Sequence, residues 1–297
     1  MNRIISAYRK YIPEKYRNYI YHLILGDILL FKRNFKTIIK AKFSYWFHFI
    51  IPQTPTNNAF AFMGKYGICL LPYEYTLHYK KLNIIQYKDE SNQLTYVIHN
   101  NKKLYFPRNF GQADIDTIYK QLLAEQDERS PHRYLKSGNE LSGKTLLDIG
   151  AAEGILSLDA VDRTERIFLF EQDENWIEAL NATFAPYRNR VAIIKKYVGN
   201  TNDEHNLTID HFLEGKKIDN LFIKMDIEGA ELLALQGAAT VLRDADNLCL
   251  AVCTYHGKDD FRKISGLFSE KGMDYNPTDG RLFYDNEFRV GLVKVGY

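Results

Sequence analysis

Residues 224–231 read KMDIEGAE, which crowds Lys224, Asp226, Glu228 and Glu231 into eight positions. The preceding residues 221–223 are apolar and read as a buried strand, and LLALQGAATVL beyond has helical character. Two acids at a strand-to-helix junction suit the carboxyl edge of an open α/β sheet, where such folds present their ligand groups. An acid that closes a buried strand needs a partner, so Asp226 is read as functional, and Lys224 could pair with one of the acids. Glu228 is read at the start of the following helix, where the dipole favours an acid; a plain helix cap is the competing reading. Gly229 removes a side chain where a substrate would pass. A second rim, CTYHGKDD, carries Tyr255 and His256. A hydroxyl that reacts as a nucleophile must lose its proton, and a base near neutral pKa serves that purpose. His256 qualifies by position, with Tyr255 beside it to hold the ring; the competing reading is a histidine that caps the next helix. Asp226, Glu228 and His256 could instead ligate a divalent metal, although His is unusual for Mg²⁺ and no close ligand pair supports it.

Further upstream, LLDIGAAEG sets Asp148, Gly150 and Gly154 in a D-x-G-x-x-x-G turn. Gly150 permits a sharp turn and Gly154 a close approach, and amides at a helix start can meet a carboxylate. The close glycine pair that admits a pyrophosphate is missing, and Glu153 would repel one. A cationic ligand bearing a carboxylate suits the turn better. The next apolar run ends FLFEQD, with Glu171 placed 21 residues after Gly150. An acid there can accept hydrogen bonds from both ribose hydroxyls, and together the two features point to an adenosine ligand. EQDERSPHRY (125–134) precedes the first of these strands. Pro131 suits a helix first turn, so His132, Arg133 and Tyr134 could face a carboxylate or an anionic acceptor. The competing reading pairs Arg133 with Glu125 or Asp127.

The elements that must position these groups alternate. From residue 140 the pattern gives five strand-helix units: KTLLDIG, RIFLFEQ, VAIIKKYVG, NLFIKMD and NLCLAVCTY are the strands. Their continuous apolar runs imply a parallel sheet covered on both faces. RLFYDNEFRVGLVKV reads as two strands around Asp285-Asn286, a hairpin closing the sheet with an antiparallel edge strand. Residues 59–110 read as a small antiparallel unit (YGICLLP, QLTYVIH and KKLYFP) with a turn at Asn100-Asn101. Residues 114–126 have helical spacing. IPQTPTNN (51–58) is the best candidate boundary. The expected organisation is a helical arm (1–50), an accessory region (51–139) and a ligand-binding α/β domain (140–297).

Composition bounds the rest. The chain has 297 residues, 45% hydrophobic and 26% charged, as in an ordinary globular protein. Its net charge of +2 hides an asymmetry: residues 1–50 hold ten Lys or Arg against two acids. That aromatic-rich basic arm can lie on an anionic membrane surface or on a partner, or it can be a plain helical cap. Cys69, Cys249 and Cys253 have no metal spacing and suit a reducing compartment. No run reaches the roughly 18 apolar residues of a membrane span, and no signal peptide is recognisable. A cytoplasmic protein is expected; on the membrane reading of residues 1–50, rather than the helical-cap reading, it would be peripheral on the inner membrane surface.

TLLDIGAAEG, LFEQD and above all FIKMDIEGAELLALQGA resemble the FkbM family of S-adenosylmethionine-dependent methyltransferases. The resemblance covers roughly residues 140–297. It implies a class I methyltransferase fold, a Rossmann-like seven-stranded, mostly parallel sheet whose last strand is antiparallel. It also implies S-adenosylmethionine as cofactor and O-methylation, often of a sugar or natural-product hydroxyl. Family roles fall on Asp148, Gly150, Ala151 and Gly154 at the methionine part and on Glu171 with Gln172 at the ribose. Gly199 and Asn200 fall at the adenine edge, where Asn200 replaces the usual acid. Asp226 falls at the methyl donor, with Asp226, Glu228 and His256 as catalytic candidates and Arg133 and Tyr255 as substrate contacts. The acceptor expected is a small molecule or a glycan, most plausibly a saccharide of a bacterial surface glycan or glycolipid, and nucleic acid is not expected. The rivals are a nicotinamide-dependent oxidoreductase and a methyltransferase fold that only binds a partner.

Overall fold

The computed structural model describes residues 27–216 and 219–296, with side chains from Asn34 onward. Of the expected basic arm, residues 1–26 lie outside the described residues. The chain divides into two compact units, residues 1–72 and 73–297.

In the first unit, helices α1 (Asp27–Trp46) and α2 (Pro55–Tyr66) are joined through the IPQTPTNN stretch. Thr54 caps α2 by accepting from the Asn57 amide at 3.2 Å, and Pro55 sits where its missing N–H costs nothing. The helices cross where Gly64 meets the backbone of Ala41; a Cβ at Gly64 would overlap the Ala41 carbonyl. YGICLLP is not the strand its composition predicts. Its Tyr66 finishes α2, Gly67 leaves the helix at φ 95°, and the following residues are irregular.

The second unit opens with α3 (Thr76–Lys80) and the antiparallel sheet β1 (Gln86–Lys88), β2 (Thr95–His99) and β3 (Lys102–Phe106), followed by α4 (Gln112–Glu125). Asn100 and Asn101 take positive φ of 47° and 63°, as a tight hairpin turn requires. The larger part runs β4 (Thr145–Ile149), α5 (Ile155–Ala160), β5 (Arg166–Phe170), α6 (Glu174–Thr183) and β6 (Val191–Ile194). A short parallel pair follows, β7 (Tyr197–Val198) with β8 (Asn206–Leu207), and then α7 (Ile209–Leu213) and β9 (Leu221–Met225). The chain continues through α8 (Glu231–Gln236), α9 (Ala239–Asp244), β10 (Cys249–Cys253) and α10 (Asp260–Glu270). It finishes with β11 (Tyr275–Pro277), β12 (Leu282–Tyr284), β13 (Glu287–Arg289) and β14 (Leu292–Val295).

Seven of these strands form one sheet in the order β6-β5-β4-β9-β10-β14-β11, with β14 antiparallel to both neighbours. This is the expected class I methyltransferase sheet. Two details differ from the sequence reading. The antiparallel strand β14 is not at the edge but is inserted between β10 and β11, while the hairpin at Asp285-Asn286 forms a separate two-stranded sheet, β12–β13. The helix expected over AELLALQGAATVLRDA breaks into α8 and α9 at Gly237, where a Cβ would overlap the carbonyl of Gly199. The helix gives way so that the segment after β7 can approach closely.

Alternation along the strands sorts the side chains. Leu147, Ile149, Ile223, Met225 and Val252 face the main apolar layer, which α7 to α10 cover. Asp148 and Lys224 therefore face the other side, opposite each other across neighbouring strands in the β4–β9 register. The strand order reverses between β4 and β9, since β5 and β6 extend one way and β10 and β14 the other. A ligand crevice is expected outside the carboxyl ends at that reversal.

Candidate active site

The turn after β4 is built around one close approach. Gly150 sits at φ 77°, and a Cβ there would overlap the carbonyl oxygen of Asp226 at the end of β9. The Asp226 amide donates to the Ile149 carbonyl at 3.0 Å, so the two strand ends are stitched together at the reversal. Below them lies a buried ion pair. Lys224 Nζ is 3.0 Å from Asp148 Oδ1, and both side chains are almost wholly covered. Lys224 also donates to the Gly150 carbonyl, and Ser157 Oγ donates to Asp148 Oδ2 at 2.6 Å. Burial works against the Lys224 charge, but Asp148 and Asp226 outweigh it and raise its pKa.

A cavity of about 700 Å³ opens over these strand ends. Gly150, Ala152, Glu171, Gln172, Gly199, Asn200, Asp226 and Glu228 line it, which gathers most of the residues expected at a cofactor. Glu171, Asp173, Asp226 and Glu228 give its wall four acids against Lys196 as the cation. Such a wall favours a cationic ligand over a pyrophosphate. Glu171 ends β5 and accepts from three amides: Ala152 at 2.9 Å, Gln172 at 2.7 Å and Asp173 at 2.8 Å. It thus fixes the turns after β4 and β5, and its Oε2, with one acceptor site used, can take a further donor. Asn200 donates its side-chain amide to Gln236 Oε1 at 3.2 Å, which holds it on the rim near Gly199.

Other expected residues lie apart from the cavity. Asp148 is committed to Lys224 and Ser157 beneath it. A Cβ at Gly154 would meet Leu180 and Phe184, so that glycine serves helix packing rather than a ligand. Ala151 is buried beside the turn. Pro131 starts no helix; residues 126–136 are irregular. Arg133 is half-buried and does not take the expected partners, since Asp127 pairs with Arg129 at 2.7 Å and Glu125 accepts from Gln121 at 2.8 Å. Its neighbours turn inward. Tyr134 donates to Asp226 Oδ2 at 2.6 Å, and His132 Nε2 is 3.3 Å from Tyr255 Oη and 3.6 Å from Asp226 Oδ2.

Glu228 departs from its expected place. It does not start a helix: α8 begins at Glu231, and Glu228 sits before it at φ 55° with its side chain 84% exposed. Gly229 follows at φ 99° with His256 Cβ 3.7 Å from where its own would be, so its role is conformational. The acid that enters the helix is Glu231, which is fully buried. Its Oε1 accepts from the Ile227 amide at 2.9 Å and lies 2.9 Å from His256 Nδ1. Its position in KMDIEGAE gave the only hint of that role. His256 caps no helix. Its Nε2 points between Asp226 Oδ1 at 3.4 Å and Glu228 Oε2 at 3.7 Å. Burial disfavours its charge, but the hydrogen bond to Glu231 and the field of Asp226, Glu231 and Glu228 prevail, and its pKa is raised. Asp226 is half-buried, and burial works against its charge, yet Lys224, His132, Tyr134 and His256 together lower its pKa. Tyr255 lies against His256 with ring centroids 4.1 Å apart and the ring planes tilted by 41°. Trp176 and Tyr197, which the sequence did not single out, add aromatic faces to the cavity wall.

Residues 197–275 match the Methyltransferase FkbM domain. That match contains the β7 rim, the whole KMDIEGAE segment and the Tyr255–His256 rim. Among solved structures, the FkbM methyltransferase from Methylobacillus flagellatus is similar at 17% identity and a TM-score of 0.43, over 63% of this chain and 56% of that one. The precorrin-6y C5,15-methyltransferase from Geobacter metallireducens is similar at 13% identity and a TM-score of 0.38, over 56% of this chain and 88% of that one. This chain thus spans little more than half the length of the first of these. No curated protein matches it.

In the turn after β4, Glu153 stands only partly exposed, and burial raises its carboxyl pKa to about 8 despite Lys224 nearby. A raised carboxyl favours the fold while protonated, so its contribution is full below the unfolded value near 4.5 and is lost as pH rises through about 8. Glu153→Gln should therefore gain stability relative to the parent between pH 5 and 8, with the gap constant above that range. Thermal unfolding of both proteins across pH 5–9 checks this; a gap that does not widen with pH means Glu153 titrates normally.

Proposed function

We propose that the chain is an S-adenosylmethionine-dependent O-methyltransferase acting on a hydroxyl. The cavity over the β4–β9 reversal carries this reading, with Glu171 at one end, Gly150 in the floor and Asp226 at the other end. Its residues fit the cofactor: an acid at the end of β5 for vicinal hydroxyls, an open backbone at Gly199 where a Cβ would meet nothing, and an acidic wall for a cation. When bound, S-adenosylmethionine supplies a methyl group already activated on a sulfonium. The protein's task is then mostly positioning. Glu171 holds the floor turns and the ribose, Tyr134 and His132 hold the Asp226 carboxylate, and Asp226 presents its charge to the cavity. Asp226 and His256 stand where the acceptor hydroxyl loses its proton.

The acceptor we propose is a saccharide of a surface glycan or glycolipid of a bacterium, methylated at the cytoplasmic face of the membrane. The FkbM resemblance and the first unit support this. No described helix is long and apolar enough to cross a membrane. However, α1 leaves Phe35, Ile39, Phe43 and Trp46 exposed, at spacings of four, four and three. Residues so spaced share one face of a helix. Exposed Lys36 and Lys40 adjoin that stripe. An aromatic stripe with flanking lysines suits the headgroup region of an anionic bilayer.

Two outcomes are expected. Glu171→Ala should weaken S-adenosylhomocysteine binding by about 1–3 kcal/mol in calorimetry, the cost of unpairing hydroxyl partners and loosening the floor; unchanged affinity in a folded variant places the ribose elsewhere. Replacing Phe43 and Trp46 by Ser should reduce co-sedimentation with phosphatidylglycerol vesicles about tenfold or more, given the apolar area withdrawn from the bilayer. Equal sedimentation of parent and variant removes the membrane part of the proposal.

A further inference from the structure

We propose that His132, Asp226 and Cys253 form a binding site for one Zn²⁺ ion on the inner side of Asp226. The site is independent of the methyl-transfer reading. It shares only Asp226 with the metal set considered from the sequence. No spacing motif could reveal it, since His132 and Cys253 stand 121 residues apart.

The sheet register brings the three together. Val252 of β10 pairs with Met225 of β9, so Cys253 and Asp226 follow at the ends of neighbouring strands. Alternation turns Cys253 away from the apolar layer that takes Val252. His132, from the irregular segment 126–136, reaches both. Its Nε2 lies 3.6 Å from Asp226 Oδ2 and 3.9 Å from Cys253 Sγ. The three ligand atoms all lie within 4.8 Å of one another. Zn²⁺ holds nitrogen and oxygen at about 2.0–2.2 Å and sulfur at about 2.3 Å, which makes the edges of a tetrahedron roughly 3.3–3.7 Å. The two edges from His132 are within a few tenths of an ångström of that.

These groups approach one another without satisfying one another. A separation of 3.6 Å is too long for a hydrogen bond. His132 is 2% exposed at its side chain, and its Nδ1 makes no hydrogen bond among the described residues. Its Nε2 has a long contact with Tyr255 Oη at 3.3 Å, which an ion would replace. Glu125 Oε2 stands 3.9 Å from Nδ1, so the imidazole lies between the carboxylates of Glu125 and Asp226. With a metal on Nε2 the proton belongs on Nδ1, where Glu125 receives it. This is the outer-shell pattern of a metal-bound histidine. Tyr134 takes one acceptor site of Asp226 Oδ2 at 2.6 Å and leaves another for an ion.

The donor set selects the metal. Thiolate, imidazole and carboxylate together suit Zn²⁺, whereas Mg²⁺ and Ca²⁺ take oxygen ligands. Three protein ligands and a fourth position for water are an ordinary zinc arrangement. The local charge favours a cation as well. Lys224 is committed to Asp148, while Glu125 and Asp226 face each other across His132. Burial pushes the Cys253 thiol up, and the ion takes the place of its proton. Once bound, the ion ties segment 126–136 to β9 and β10 and fixes the Asp226 carboxylate through Oδ2. Oδ1 stays toward His256.

The test uses the full chain, reduced, stripped with a chelator and kept free of oxygen. Co²⁺ is titrated as an optical probe of the zinc site, and Zn²⁺ is added as competitor. One Co²⁺ per chain is expected, with the near-ultraviolet charge-transfer band of a cobalt-bound thiolate, and Zn²⁺ should displace it. Cys253→Ser should abolish the band, which separates Cys253 from Cys69 and Cys249. His132→Gln should weaken Co²⁺ binding about tenfold or more, and Glu125→Gln about 10–100-fold with the band retained. Circular dichroism melts identify the variants that fold. No Co²⁺ binding by the parent, binding without the thiolate band, or a titration unchanged in folded Cys253→Ser or His132→Gln overturns the site.

Discussion

The buried pair of Lys224 and Asp148 is the constraint around which the cleft is organised. It joins β4 to β9, the two strands at which the sheet order reverses, and Lys224 reaches on to the Gly150 carbonyl in the turn above. Leaving either charge alone in that interior would cost about 3–5 kcal/mol. The pair is therefore less a source of stability than a condition on register. With β9 shifted by one residue, Lys224 would face the apolar layer of Leu147 and Ile149. In the observed register, Asp226 falls beside Gly150 and above the pair.

A chain of acids and their partners follows from that placement. Asp226 ends β9 in a half-buried setting that Lys224, His132, Tyr134 and His256 make tolerable for a carboxylate. Glu231 occupies the start of α8, fixes the Ile227 amide and turns His256 toward Asp226. Glu171 ends β5 and fixes the two neighbouring turns by three amide hydrogen bonds. The cavity between Glu171 and Asp226 is thus walled by acids that the fold holds in place before any ligand arrives. A cationic methyl donor fits that wall, and the pyrophosphate of a dinucleotide does not.

Much of this could be read in the sequence. Continuous apolar strands alternating with helices gave the parallel sheet, and the acids after β5 and β9 lie on its carboxyl edge where the pattern put them. Features set by long-range packing were less visible. β14 pairs between β10 and β11, a choice made by registers that no local pattern carries. The break at Gly237 answers the carbonyl of Gly199, far away in sequence. Glu228 and Glu231 look alike as letters in KMDIEGAE. Only the positive φ at Glu228 and the burial of Glu231 separate a solvent-facing acid from one that orients His256. The turn after β4 suggests that Asp148 faces the ligand; alternation along β4 sends it beneath the floor to Lys224 instead.

The acid-walled cavity over the β4–β9 reversal is proposed as the site of a sulfonium cofactor. Competitive calorimetry of the full chain with S-adenosylhomocysteine and NADH addresses it most directly. The account predicts saturable binding of S-adenosylhomocysteine at one site per chain, displaced by S-adenosylmethionine and unaffected by NADH. Saturable NADH binding without any response to S-adenosylhomocysteine would contradict it.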